Sequence, residues 1–238
     1  MSEQNELRRI QRVYRKRIED RVIDRYSLFR PGELYMLQTR ERVVLSMLAA
    51  AGWTSLSGRA ILEVGCGRGH RLADFVRWGA DPARLCGVDL MPDFVAEAKR
   101  THPNFAIVQA SGHQLPYPSG SFDLVMQSTL FTSIADPGLR RAIAGEMLRV
   151  LRPDGMILWY DFRYPNPRNP DVKPIGARAI RALFPDCGIR LRTVTLLPPL
   201  ARALAGRMPF LCRALDLVPI LRSHYLALIR RQPEGRAR

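Results

Sequence analysis

The sequence predicts an α/β fold: a doubly wound, mostly parallel sheet of seven strands, with two N-terminal helices and a helical insert before the last strand. Three observations carry this. From residue 60 onward, short apolar runs alternate with segments of helical periodicity, the pattern of a parallel sheet covered on both faces. The first run ends in Gly65-Cys66-Gly67-Arg68-Gly69, bare main chain passing into a helix. Finally, 47% apolar residues in a chain of 238 suffice for one domain with a sizeable core.

Residues 3–26 read as a first helix, because Ile10, Val13, Tyr14, Ile18, Val22 and Tyr26 recur at intervals of three and four. Pro31 and Gly32 interrupt that pattern, and a second helix is expected over 33–51, stopping near Gly52. The expected strands are 60–64, 85–89, 105–109, 122–127 and 155–162, with helices near 70–78, 92–101 and 137–151. Arg152-Pro153-Asp154-Gly155 reads as a turn between helix and strand. A proline-rich stretch from Tyr164 to Pro170 leads to a helix near 176–184, a strand over 189–197, the insert 198–222 and a last strand over 224–231. The expected division is an N-terminal helical lid over 1–52, a ligand-binding core over 53–162, and a C-terminal part of the same domain over 163–238.

The net charge is +15, and arginine supplies 34 of the 37 cations. Its placement matters more than its size. Residues 1–42 carry +4, residues 43–162 are neutral and residues 163–238 carry +11. The cationic C-terminal third could attract nucleic acid, an anionic membrane surface or a phosphorylated molecule. No apolar run approaches the ~20 residues of a membrane span, and the N-terminus lacks the apolar region of a signal peptide. Cys66, Cys86, Cys187 and Cys212 show no metal-ligand spacing. Reduced thiols, no metal site and a cytoplasmic location are therefore expected, with peripheral contact at the inner membrane face as an option.

The glycine stretch narrows the ligand. A strand ending in Gly-x-Gly-x-Gly brings main chain against a ligand and aims helix N–H groups at it. The dinucleotide fingerprint needs its third glycine at position 70, which is His70, and no GxxxxGK[ST] loop is present. Glu63, just before the turn, would repel a pyrophosphate but suits a cationic amino group. Asp89 ends the second strand, where acids of doubly wound folds bind ribose hydroxyls. A ligand with a ribose and a positive amine but no required phosphate fits S-adenosylmethionine.

The same residues resemble class I S-adenosylmethionine-dependent methyltransferases, with a Rossmann-like core, in the branch similar to the ubiquinone/menaquinone-biosynthesis enzymes. The resemblance covers roughly residues 43–162. It rests on Glu63-Val-Gly-Cys-Gly-Arg-Gly69, Asp89, Leu115-Pro116-Tyr117 leading to Ser121-Phe-Asp-Leu-Val125, and Glu146-Met-Leu-Arg-Val-Leu-Arg-Pro-Asp-Gly155, in that order. It implies that Glu63 organises the glycine loop and the methionine end of the cofactor, lined by Gly65, Cys66, Gly67 and Gly69. Asp89 would hold the ribose and Leu90 would lie against the adenine. Ser111, Gly112 and His113 would face the adenine edge, with Gln127 near the end of the fourth strand. A serine at position 111 departs from the acid often found there.

Acceptor determinants belong at the carboxyl ends of strands four and five and on the N-terminal helices. Those expectations are Ser128, Thr129 and Phe131, then Arg163 and Tyr164, with Tyr26, Phe29 and Tyr35 as covers. His113, Asp161 and His224 are the candidate bases, and the residues single out none of them. The stretch 160–170 also looks like one in methyltransferases of bacterial glycan and natural-product biosynthesis. The expected partner is a small-molecule acceptor (a natural product, a glycoside or a quinone-like ring), with O-methylation favoured. Asn166-Pro167 lacks the following proline and aromatic of amino-methylating nucleic-acid enzymes. The alternatives are a lipid-linked or RNA substrate, and a non-catalytic binding subunit. The insert 198–222 reads as short helices with arginines on the wet face, or as a surface for anionic lipid; nucleic acid is disfavoured.

Overall fold

The computed structural model describes residues 3–19, 27–165 and 171–232. Its seven-stranded sheet runs in the order β3-β2-β1-β4-β5-β7-β6. The strands are β1 (Ile61–Val64), β2 (Leu85–Asp89), β3 (Ala106–Gln109), β4 (Phe122–Ser128), β5 (Leu151–Phe162), β6 (Cys187–Leu196) and β7 (Arg222–Arg231). The first five are parallel; β7 pairs antiparallel with both β5 and β6. The central strands β1 and β4 are apolar runs, buried almost throughout, because helices cover both faces. The edge strand β6 alternates half-buried with exposed over most of its length, as a one-sided antiparallel strand does.

The helices are α1 (Glu3–Glu19), α2 (Pro31–Ala49), α3 (His70–Arg77), α4 (Pro92–Thr101), α5 (Pro137–Val150), α6 (Ala177–Leu183), α7 (Pro198–Leu204) and α8 (Pro209–Asp216). Two cores form, one on each face. Leu62, Val64, Val125, Ile157 and Trp159 pack with Ile10 of α1, Ile143 and Met147 of α5 and Ile180 of α6. Ile61, Leu124, Met126 and Leu158 pack with Val44, Met47 and Leu48 of α2, Leu72 and Phe75 of α3 and Val95 of α4. Strand alternation thus sends Glu63 and Tyr160 to the α2/α3 face and Asp161 to the α1/α5 face.

Two boundaries differ from expectation, and a third lies outside the described residues. The second helix starts at Pro31, not after it, since proline's missing N–H costs nothing in the first turn. The first helix is described only to Glu19, so the expected residues Val22 and Tyr26 lie outside the described residues. The stretch 152–155 is part of β5 rather than a turn: Phe122 pairs with Leu151 and Leu124 with Met156, so the intervening residues bulge out of the ladder.

The insert packs through α7 and α8 onto α2 and β6. Leu196, Ala201 and Cys212 form its small core with Tyr35, Met36 and Leu215. Helix contact is close at Gly32, where a Cβ would stand 2.6 Å from the Arg202 Cα. Beside it, Arg202 Nε donates to Glu33 Oε1 at 2.7 Å. Gly32→Ala should therefore force α7 off α2 and lower stability by roughly 1–3 kcal/mol, measured by urea unfolding.

Candidate functional site

The site forms where β1 has β2 on one side and β4 on the other, the crevice in which open α/β sheets bind ligands. The loop after β1 is hooked to β2. Gly65 N–H and Cys66 N–H donate to the Val88 carbonyl at 2.7 and 3.0 Å. Gly67 N–H donates to Asp89 Oδ2 at 2.7 Å, and Met91 N–H to Asp89 Oδ1 at 2.9 Å. Gly65, Gly67 and Gly69 have φ of 74°, 52° and 77°, a left-handed region open at low cost only to glycine. A Cβ on Gly67 would meet nothing within 4 Å, so the middle of the loop faces open space.

Asp89 is buried, and burial raises its carboxyl above the usual range while the Met91 and Gly67 N–H groups oppose the shift. Those two donors leave acceptor capacity on both oxygens. The loop after β3 closes in from the other side: a Cβ on Gly112 would stand 2.9 Å from Val64 Cγ1. Ser111 Oγ and His113 Nδ1 share a hydrogen bond of 2.6 Å. The loop Gly65–Gly69, Asp89, half-buried Leu90 and residues 111–113 thus gather at neighbouring strand ends. Cys66 joins them only through its main chain. Its thiol turns into the sheet, within 2.7 Å of where a Gly87 Cβ would be, and burial pushes its pKa up.

Glu63 is fully buried on the α2/α3 face, and its Oε2 has no hydrogen-bond partner. Burial pushes its pKa up to about 8; Asp74 and Asp89 add to the rise, and Arg71 and Arg40 oppose it. A buried carboxyl oxygen without a donor is costly, and it is chemically suited to a cationic or hydrogen-bond-donating ligand.

The N-terminal helix spans this crevice. Glu6, fully buried, accepts from Ala135 N–H at 2.6 Å and is paired with Arg9. Arg9 also donates to the Ser133 carbonyl at 2.7 Å. Tyr14 shares a hydrogen bond with Ser133 Oγ at 3.0 Å and meets Phe94 of α4 edge-on. One end of α1 is therefore tied to the chain after β4 and its middle to the helix after β2, so it crosses over the end of β1.

Several expected residues are buried and held by protein partners. Phe131 is fully buried against Trp159, with ring centroids 4.3 Å apart. Asp161 accepts from Thr132 Oγ1 at 2.5 Å, and also from Thr132 N–H and Phe162 N–H. It braces the turn Phe131–Ser133, and burial pushes its pKa up to about 7. His224 lies on the opposite face, stacked on Tyr160 and packed on Phe162. Its Nδ1 is held by Ser223 Oγ at 2.8 Å, and burial, assisted by Arg40, drives its pKa down to about 3. Asp161 and His224 therefore cannot act as a pair.

Gln127 is fully buried and bridges Tyr160 O and Leu130 N–H, shaping the chain after β4. That chain holds Ser128, whose carbonyl accepts from Thr129 Oγ1, and Thr129 itself at φ 58°. Arg163 and Tyr164 bind the turn Pro219–Leu221 through the Pro219 and Ile220 carbonyls. Tyr35 belongs to the small core of the insert, with its buried hydroxyl pushed up to about 12 chiefly by burial. Phe29 is wholly exposed, and Tyr26 lies outside the described residues.

One polar cluster is absent from the sequence reading. Arg40 of α2 sits 5.2 Å over the Tyr160 ring and 3.6 Å from Asp74 of α3. Tyr160 Oη meets Thr195 Oγ1 at 2.9 Å, and Thr195 has φ 66°. Both non-glycine residues of positive φ among the described residues, Thr129 and Thr195, thus bond to Tyr160, since Thr129 N–H donates to its carbonyl. Strain of this kind gathers at functional sites. The signal legible in sequence was only that Tyr160 shares a strand face with residues opposite Glu63.

The buried acids give a pH prediction. Glu63 and Asp161 hold protons in the folded chain at pH values where the unfolded chain has released them. Their stabilisation is full below about pH 4 and is lost as pH rises through 7 for Asp161 and 8 for Glu63. Unfolding free energy should fall over that window, with a slope of at most ~1.4 kcal/mol per pH unit for each group. Glu63→Gln should flatten the upper part, as read by urea titration at pH 5–9.

Residues 61–155, from β1 into β5, match the family model described as a methyltransferase domain. Over 114 residues the chain is 35% identical to the phthiotriol/phenolphthiotriol dimycocerosates methyltransferase of Mycobacterium leprae, covering 47% of this chain and 41% of that one. Over 110 residues it is 34% identical to the demethylmenaquinone methyltransferase of Beutenbergia cavernae, covering 45% and 42%. The chain thus spans about two fifths of the length of these curated relatives. The crystal structure of an S-adenosylmethionine-dependent methyltransferase from Mesorhizobium loti shares the fold, with a TM-score of 0.55 and 19% identity over 78% of this chain and 96% of that one. The glycine loop and Asp89 lie within the stretch that matches the methyltransferase-domain model, and the fold around them is shared with S-adenosylmethionine-dependent methyltransferases.

Proposed function

We propose that this protein moves a methyl group from S-adenosylmethionine to a lipophilic small-molecule acceptor of phenol or hydroquinone type. The observation that carries the reading is the pairing of an open glycine loop with a buried, unpartnered carboxyl oxygen on Glu63. The residues present fit the cofactor. Asp89 would hold the ribose hydroxyls, the loop Gly65–Gly69 and Glu63 the methionine end, and Leu90 with residues 111–113 the adenine. The chemistry brought by the bound cofactor is a sulfonium methyl group, already an activated electrophile.

The work left to the chain is placement and drying. Holding the two reactants in line supplies up to ~7–11 kcal/mol. In this reading α1 is the lid expected from the sequence: its Glu6, Arg9 and Tyr14 contacts hold it over the end of β1 and keep water out. Charge is neutralised during transfer, so a dry site favours the step. The candidate bases argue for the acceptor class. Asp161 and His224 are held by protein partners, and the His113 ring is tied to Ser111 in the loop after β3. An acceptor that ionises with little help, such as a phenol or the ring of a hydroquinone, suits such a site better than an aliphatic alcohol. The names of the relatives, one acting on demethylmenaquinone, support a lipophilic acceptor.

Two measurements test this. Purified protein with methyl-labelled cofactor should label a hydroquinone or phenol in a membrane-lipid extract, and should leave RNA and protein unlabelled; label confined to RNA or protein would overturn the acceptor class. Asp89→Ala should weaken binding of the demethylated cofactor by about 1.5–3 kcal/mol for each hydrogen bond lost, by calorimetry. Affinity unchanged in that variant would mean the ribose sits elsewhere.

A further inference from the structure

The outer face of the insert remains uncovered. Cys212 is buried and Leu215 packs on the insert core, and these residues satisfy the inner face of α8. At 100° per residue, Phe210, Arg213 and Leu217 fall together on the opposite face. There Phe210 is 71% and Leu217 76% exposed, and Ile220, in the turn that follows, is 68% exposed. Isolated exposed apolar side chains are ordinary, but large ones clustered on one face mark an interaction surface.

The neighbourhood extends the cluster. Pro31, at the start of α2, lies 3.3 Å from where a Gly206 Cβ would be, which sets the segment before α8 against the chain that carries fully exposed Phe29. Cations outnumber acids there. Arg202 is paired with Glu33 and Arg222 with Asp216, whereas Arg207 and Arg213 are exposed among the apolar groups. The turn carrying Ile220 is tied to Tyr164 and Arg163 at the end of β5, so this face adjoins the end of the sheet where an acceptor would enter.

We infer that Phe29, Phe210, Leu217 and Ile220, with Arg207 and Arg213 among them, form a docking face for an anionic lipid bilayer. Large apolar side chains interspersed with arginines match the apolar boundary and the negative headgroups of such a surface. Among the described residues no helix is long and apolar enough to cross a membrane; the contact is a surface one. The inference deepens the reading of a lipophilic acceptor and rests on it for its purpose: the face would let the site take its acceptor from the bilayer.

Flotation with vesicles of phosphatidylcholine alone, or of phosphatidylcholine mixed with phosphatidylglycerol, tests it on the full chain. The expected result is binding to the anionic vesicles only, weakened by added salt as the charges are screened. Arg207→Glu with Arg213→Glu should lower partitioning at least ~20-fold, from about 5-fold per charge. Phe210→Asp with Ile220→Asp should abolish it. Calorimetry with the demethylated cofactor on the same variants separates the two readings, because these residues lie outside the cofactor cradle and its affinity should not change. Absent flotation with intact cofactor binding would overturn the docking face alone. So would flotation indifferent to both double variants, or light scattering in which the Asp variants turn a dimer into a monomer without any vesicle binding.

Discussion

The hydrogen bond from Gly67 N–H to Asp89 is the constraint on which the rest of the site depends. It does two things at once. It holds the glycine loop to the second strand in a left-handed path that side chains would resist, and it fixes the Asp89 carboxylate at the mouth of the crevice with acceptor capacity left over. The two N–H groups donated to the Val88 carbonyl complete the hook. With the loop so held, the first turn of α3 begins at its glycine end and presents main chain, not side chains, to the open space ahead of Gly67.

Around that hook the two faces of the sheet divide the labour. On the α1/α5 face, Asp161 and Thr132 brace the chain after β4, and α1 is tied down by Glu6, a carboxylate held low chiefly by its Arg9 partner. On the α2/α3 face, Glu63 faces a group of charges in which Arg71 and Arg40 oppose Asp74 and Asp89. The Glu63 Oε2 atom is buried there without a hydrogen-bond partner. A folded protein rarely keeps such a group without a reason, and a cationic ligand is a sufficient one. The same logic accounts for His224: placed beside Arg40 in a dry stack of rings, it is stable only when neutral.

Most of the fold was legible because its signals are local. Short, mostly apolar runs between helical segments mark β1, β2 and β4, and the glycine spacing with Asp89 marks the turn at their ends. What escaped was set by tertiary placement. Phe131 and Tyr35 carry the composition of ligand contacts, yet packing made one core and the other a strut of the insert. Arg40 is one arginine among 34; only the register of Tyr160 against β7 and the strained Thr195 single it out. Glu6 sits in a polar stretch with no periodic mark, and its burial depends on Ala135, more than a hundred residues away. The bulge at 152–155 was read as a turn because proline and glycine look alike in both settings.

The central claim is that the Glu63 carboxyl is kept protonated by burial and receives the cationic end of the methyl donor. Titration calorimetry of S-adenosylmethionine at pH 7, in two buffers of different ionisation enthalpy, reads this directly. The account predicts binding with net release of a proton, and no such release in Glu63→Gln. Binding of equal strength with no proton released by the unaltered chain, or no binding at all, would contradict it.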